Sequence, residues 1–427
     1  MSIRPPLRPL VLGLPLVLIA GTLTGVSLAS SARGHAGVVR IATLSDRADL
    51  ISAGDALVKV TVPAGAKAGT LRLRLNGRDV TAAFRHNSDG HGEGLITGLR
   101  LGKNTLTAGL PDGRAALLTI TNHPQGGPVF SGPQIQPWAC TNSSKSKKCD
   151  QKPTFAYSYV RAGDGSTQSY DPKSPPPSFA IANTTTTDGV TVPFIFRTET
   201  GYIDRDQYTI STLWQPGKPW ESWAPQKQFN HRLIITHGAS CDTTYGSGSA
   251  PSTTDTKMLG GGFVIMSNAL DNAGHNCNII TQAESLVMTK EYVIDHYGTL
   301  RWTIGSGCSG GSLVQQQVAN AFPGLYQGIS PQCSFTDAWS SAMQYEDYTM
   351  LLRYFEDPSR WDAGTAWDPV AISRVLDHPN VGNPITFTTA IPNSGDPSRS
   401  CPDVPAAKVY DPKTNPKGVK CTLQDYL

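Results

Sequence analysis

Between residues 38 and 122 apolar and polar positions alternate with a period of two. Ala56-Leu57-Val58-Lys59-Val60-Thr61-Val62 and Thr70-Leu71-Arg72-Leu73-Arg74-Leu75 show it most cleanly, and Asn76-Gly77 after the second run is a tight-turn signal. Shorter runs at Leu95–Leu101, Thr105–Ala108 and Leu117–Thr121 keep the spacing of a small all-β sandwich, expected over residues 38–122. Residues 123–153 lose the alternation, are rich in Pro, Gly, Ser and Lys, and read as a linker. The pattern then changes to continuous apolar runs. Arg232-Leu233-Ile234-Ile235-Thr236 and Phe263-Val264-Ile265-Met266 read as buried strands, with further strands at Val190–Arg197 and Tyr208–Leu213. Glu284–Tyr297 carries Leu286, Val287, Val293 and Ile294 at helical spacing. Leu300–Ile304 reads as a strand, Val314, Val318 and Phe322 as a helix ended by Pro323-Gly324, and Leu325–Ser330 as the next strand. Strands alternating with helices predict an α/β core at 154–344, its mostly parallel sheet covered on both faces.

The two ends of the chain behave differently. Arg4 and Arg8 precede an apolar run from Leu10 to about Ala29, followed by Ser30, Ser31 and Ala32, so residues 1–36 read as an export signal. The run borders on membrane-spanning length, and a membrane association is expected only if it is retained. Residues 345–427 hold helical patches and then Pro-rich turns, with little that reads as a buried strand. They are expected to form a lid-like insertion, with the C-terminal part of the fold missing from the chain.

Composition narrows the class. The chain has 427 residues, 39% hydrophobic and only 16% charged, with 42 Gly and 32 Pro, which fits a loop-rich secreted or periplasmic protein of more than one domain. A net charge of +3 with no dense basic run argues against a nucleic-acid partner. The eight cysteines suit an oxidising compartment. Cys140 and Cys149 flank a polar loop and are placed for a local disulfide, while the others cannot be paired from sequence. No C-x-x-C or clustered His/Cys spacing suggests a metal site, and no cofactor is called for.

Chemistry concentrates at Gly307-Cys308-Ser309-Gly310-Gly311, a G-x-S-x-G pattern between a strand and a helix. A serine on so sharp a turn is held clear at the top of a sheet, and glycines flank it because side chains would collide there. Ser309 is the candidate nucleophile. An oxyanion needs N–H donors: Gly310 follows the nucleophile, and Thr236-His237-Gly238-Ala239 ends an earlier central strand, so Gly238 and Ala239 are the further candidates. The same His-Gly could simply close the strand. A serine also needs a base and an orienting acid, which in the α/β-hydrolase order follow it. His378 is the one histidine beyond Ser309, and it reads either as that base or as a helix-terminal histidine. Asp337, after the next strand, reads either as the acid or as a helix cap.

Together with Phe322-Pro323-Gly324-Leu325-Tyr326-Gln327-Gly328-Ile329, the elbow resembles that of the tannase and feruloyl-esterase group and of related secreted bacterial α/β-hydrolases with an all-β N-terminal module. The resemblance covers about residues 230 to 340. It implies hydrolysis of small-molecule or polymeric carboxylic esters through an acyl-enzyme on Ser309. In that group the cysteine before the nucleophile, here Cys308, is disulfide-bonded to a cysteine preceding the catalytic histidine. This chain has no Cys-His dipeptide to supply the second half. The alternative is a non-catalytic or truncated hydrolase-like protein that binds extracellular polymers.

Overall fold

The structure, a computed structural model, describes residues 37–86, 90–134, 138–240, 246–272, 275–276, 278–335, 347, 351, 354–376 and 405–419. The expected export signal, Asp337 and His378 lie outside the described residues.

Eight strands form one mixed sheet rather than the mostly parallel one expected, since its first four strands in the chain pair antiparallel. They are β1 (Thr154–Val160), β2 (Thr167–Ser169), β3 (Ile195–Ile203), β4 (Asp206–Leu213), β5 (Arg232–Thr236), β6 (Val264–Asn268), β7 (Trp302–Cys308) and β8 (Gly328–Gln332). Their order is β2-β1-β3-β4-β6-β5-β7-β8. β1 to β4 pair antiparallel, β4 meets β6 antiparallel, and β6-β5-β7-β8 run parallel. The C-terminal ends of β5, β6, β7 and β8 therefore open onto one edge, where loops can gather chemistry.

The apolar runs are buried because both faces of this sheet are covered. Leu233 and Ile235 of β5 join Val264, Met266, Leu286, Val293, Val314 and Val318 in the larger core, beneath helices α2 (Ile279–Tyr297) and α3 (Gly310–Ala321). Ile234 and Ile265, pointing the other way, pack with Phe194, Phe196, Leu213 and Leu259 beside the short α1 (Thr256–Gly260). Helix α2 begins five residues before the expected Glu284. Asn278 supplies the reason: its side chain accepts from the N–H groups of Ile280 and Thr281.

Residues 40–123 form two further sheets. One has the order Arg40–Thr43, Asp55–Thr61, His91–Thr97, Phe84–His86. The other has the order Ile51–Ser52, Ala115–His123, Gly102–Gly109, Arg72–Leu75, Arg78–Asp79. Val58, Val60 and Ile96 of the first share a core with Leu73, Leu106 and Ile120 of the second. These sheets rest on α2 through acidic side chains spaced on one helical face. Glu291 accepts from the Ser52 N–H at 2.7 Å and hydroxyl at 2.6 Å. Asp295 accepts from the Leu57 N–H at 2.6 Å and the Ser45 hydroxyl at 2.5 Å. Burial holds both carboxyls above their usual range: Glu291 well above it, with the charge of Asp295 as second cause, and Asp295 at about 8, with Asp55 as second cause.

After His123, which ends the strand Ala115–His123, the described residues of the segment expected as a linker form no regular strand or helix, yet they are packed rather than loose. Cys140 and Cys149 are disulfide-bonded, as their spacing suggested. The loop they close lies over the β3–β4 turn, where the Thr141 N–H donates to the Arg205 carbonyl at 2.6 Å and the Tyr202 hydroxyl to the Ser143 carbonyl at 3.0 Å.

Candidate active site

Ser309 is the single residue between β7 and α3. Its backbone sits at φ 56° and ψ −118°, a conformation that costs an L-residue on the order of 1–3 kcal/mol. Neighbours hold it there. Its N–H donates to the Gln332 carbonyl at 3.1 Å, and its carbonyl accepts from the N–H groups of Ser312 at 2.8 Å and Leu313 at 3.1 Å. A serine at the N-cap of a helix ordinarily spends its hydroxyl on the first turn. This one makes no capping hydrogen bond and is only half-buried. Among the described residues the hydroxyl has no hydrogen-bond partner.

The glycines around it are forced by close approach. A Cβ at Gly307 would lie 3.0 Å from His237 Cβ, and one at Gly311 would lie 3.0 Å from the carbonyl oxygens of both His237 and Gly238. Two further devices brace the turn. Gln315, fully buried, donates to the carbonyls of Gly311 at 3.0 Å and Gly307 at 3.3 Å, and accepts from the Ser330 N–H at 3.0 Å. Cys308 is disulfide-bonded to Cys333. This departs from the pairing that the family resemblance implied, with a cysteine preceding a histidine. The parallel register explains it: Cys308 of β7 stands beside Gln332 of β8, so the next residue along is within bonding reach.

The loop after β5 lies against this turn. Thr236 pairs with Ser306, and the His237 N–H donates to the Ser306 carbonyl at 2.9 Å. Gly238 and Ala239 follow, at the same edge of the sheet as Ser309 and Gly310. Glycine at 238 leaves the backbone open to close approach. The structure supplies another reason: a Cβ there would meet the Asn272 side chain at 2.2 Å. Gly310 opens a 12-residue helix, whose first N–H groups have no partner within the helix and whose dipole favours negative charge.

Beneath the turn lie residues that sequence reasoning did not single out. The His237 side chain is fully buried, with Nε2 3.0 Å from the Tyr326 hydroxyl and Nδ1 3.4 Å from Asp271 Oδ1. That second separation is long for a hydrogen bond, yet neither atom has any closer partner. Burial pushes the Asp271 carboxyl up, against the lowering pull of His237. Burial, then the charge of Asp271, pushes the Tyr326 phenol well above its usual range. Among the described residues no group of three or more His, Cys, Asp or Glu is placed to hold a metal ion, and no described helix is long and apolar enough to cross a membrane.

Strand order, strained serine turn and neighbouring strand-end loop together define an α/β-hydrolase-like protein. Residues 41–427 match the tannase-like family of unknown function (DUF6351), and the chain belongs to that family. No curated protein is significantly similar to it. Among solved structures it is similar to an esterase from Aspergillus oryzae, at 12% identity and a TM-score of 0.24, over 57% of this chain and 49% of that one. It is also similar to the tannin acyl hydrolase from Aspergillus niger, at 13% and 0.24, over 41% and 34%. A carboxylesterase from Geobacillus stearothermophilus gives 17% and 0.23, over 44% and 41%. The chain thus spans about half or less of the length of these structures, and the likenesses are too slight to carry any conclusion about its chemistry.

Proposed function

We propose that this protein is a secreted carboxylic-ester hydrolase that works through an acyl-enzyme on Ser309. The observation that carries the reading is the backbone of Ser309, strained at a strand-to-helix turn with its hydroxyl unspent. In the proposed reaction Ser309 Oγ attacks the ester carbonyl carbon and gives up its proton to a base. The resulting oxyanion is met by N–H groups of Gly310, Gly238 and Ala239. Collapse expels the alcohol, which takes that proton, and water then releases the acid by the same steps. His378 is proposed as the base and Asp337 as its orienting acid, on chain order alone. Membership of a tannase-like family supports an ester as substrate, small or polymeric. The disulfides Cys140–Cys149 and Cys308–Cys333 support export, after an N-terminal segment that reads as a signal.

Hydrolysis of p-nitrophenyl esters by the purified protein and by Ser309→Ala tests this. The proposal expects turnover in the first and a loss of at least 10³-fold in the second, on the scale of losing a serine nucleophile. Equal rates would overturn it and favour the polymer-binding alternative.

A further inference from the structure

We infer that His237 is a positioning residue, holding the oxyanion loop through a buried Asp271–His237–Tyr326 relay. The inference rests on the function proposed above and identifies what fixes the geometry of that site. His237 immediately precedes Gly238 and Ala239, yet its imidazole turns away from solvent into the sheet edge, with no exposed side-chain surface. It joins three loops there. Asp271, also without exposed side-chain surface, comes from the loop after β6, and Tyr326 from the segment leading into β8. The His237 backbone lies against the serine turn, its N–H on Ser306 and its carbonyl against Gly311.

The partners assign the tautomer. Tyr326 stays a phenol and can donate to Nε2, so Nδ1 carries the proton that faces Asp271 Oδ1. Asp271 is itself held by the Asn268 N–H at 3.3 Å on its other oxygen. Nε2 is thereby hydrogen-bonded and Nδ1 faces the Asp271 carboxylate at 3.4 Å, so rotating the ring would break the first contact and part the second. Fixing the ring fixes the peptide that follows. In a trans peptide the N–H points opposite to its carbonyl. Seating the carbonyls of His237 and Gly238 against Gly311 therefore also sets the directions of the Gly238 and Ala239 N–H groups. A site short of one aligned donor loses 10²–10³-fold in rate, so small rotations here matter.

Three variants test this: His237→Gln, Asp271→Asn and Tyr326→Phe. Each is measured for ester kcat and KM, for inhibition by an aryl boronic acid, whose tetrahedral adduct needs the same donors, and for Tm. The relay predicts that kcat and boronate affinity fall together by tenfold or more in Asp271→Asn and His237→Gln, with KM within twofold. Tyr326→Phe keeps the ring and removes only the hydroxyl. It should show the same paired loss at smaller size, and it decides the matter if the other two fail to fold. A drop in Tm with kcat and boronate affinity unchanged per folded molecule would overturn the relay alone. A wild-type protein that neither turns over esters nor binds the boronate would overturn the proposed function instead.

Discussion

Replacing Gly311 by alanine separates activity from stability. The added Cβ would sit 3.0 Å from the carbonyl oxygens of His237 and Gly238 and 3.2 Å from His237 Cβ. Two of these three contacts are to backbone, which cannot swing aside as a side-chain tip can. Relief requires the loop after β5 to retreat by a few tenths of an ångström from the start of α3. Overpacking of this kind costs about 1–3 kcal/mol. Alanine in place of glycine inside a helix returns about 1 kcal/mol. The net loss of stability is then at most about 2 kcal/mol, a shift of a few degrees in Tm. The effect on rate is larger, because the displaced loop carries the proposed donors: misalignment should lower kcat on the order of 10²-fold with KM little changed. Steady-state hydrolysis of a p-nitrophenyl ester gives the rate, and circular dichroism on heating gives Tm. If Gly311→Ala keeps kcat within twofold of wild type, the loop is not set by its contact with the elbow and the reasoning fails.

Further outcomes follow from the packing. Asp295, with its carboxyl raised to about 8 in the fold, is protonated there when it would be ionised in the unfolded chain. Its stabilising contribution is full below about pH 4 and is lost as pH rises through about 8, at about 1.4 kcal/mol per pH unit for one proton. Asp295→Asn keeps the acceptor for Leu57 and should flatten the fall in denaturation free energy between pH 5 and 8 by that amount; an unchanged slope would remove Asp295 as its source. Cys333→Ser opens a loop with a sequence separation of 25 residues, worth about 3.5 kcal/mol in the chain-entropy model. It should lower both Tm and kcat, since the bond adjoins the nucleophile; full activity in the folded variant would show that the brace serves stability only.

The elements legible in the sequence were those whose local chemistry is unambiguous. Strand β5 is a run of buried Leu and Ile between polar ends, and the elbow carries its own glycines. Strand β7 extends past the expected Ile304 to Cys308, because Gly305, Ser306 and Gly307 look like turn residues but are held by pairing with β8. The partner of Cys308 depended on that register and could not be found by counting cysteines. Helix α2 was legible from Leu286, Val287, Val293 and Ile294 at helical spacing. That spacing gave no sign that Glu291 and Asp295 of the same helix take up hydrogen bonds from the two N-terminal sheets. His237, Asp271 and Tyr326 come from three separate loops and meet only once the parallel strands are aligned, so no local pattern announced them. The single local clue was a histidine set beside Gly238 at the end of a buried strand.

The central claim is that Ser309 is an activated nucleophile. Incubating the folded protein with a fluorophosphonate and mapping the adduct by mass spectrometry tests it most directly. The account predicts one adduct per chain, on the peptide carrying Ser309, abolished in Ser309→Ala. An unmodified chain, or a label carried by any other residue, would contradict it.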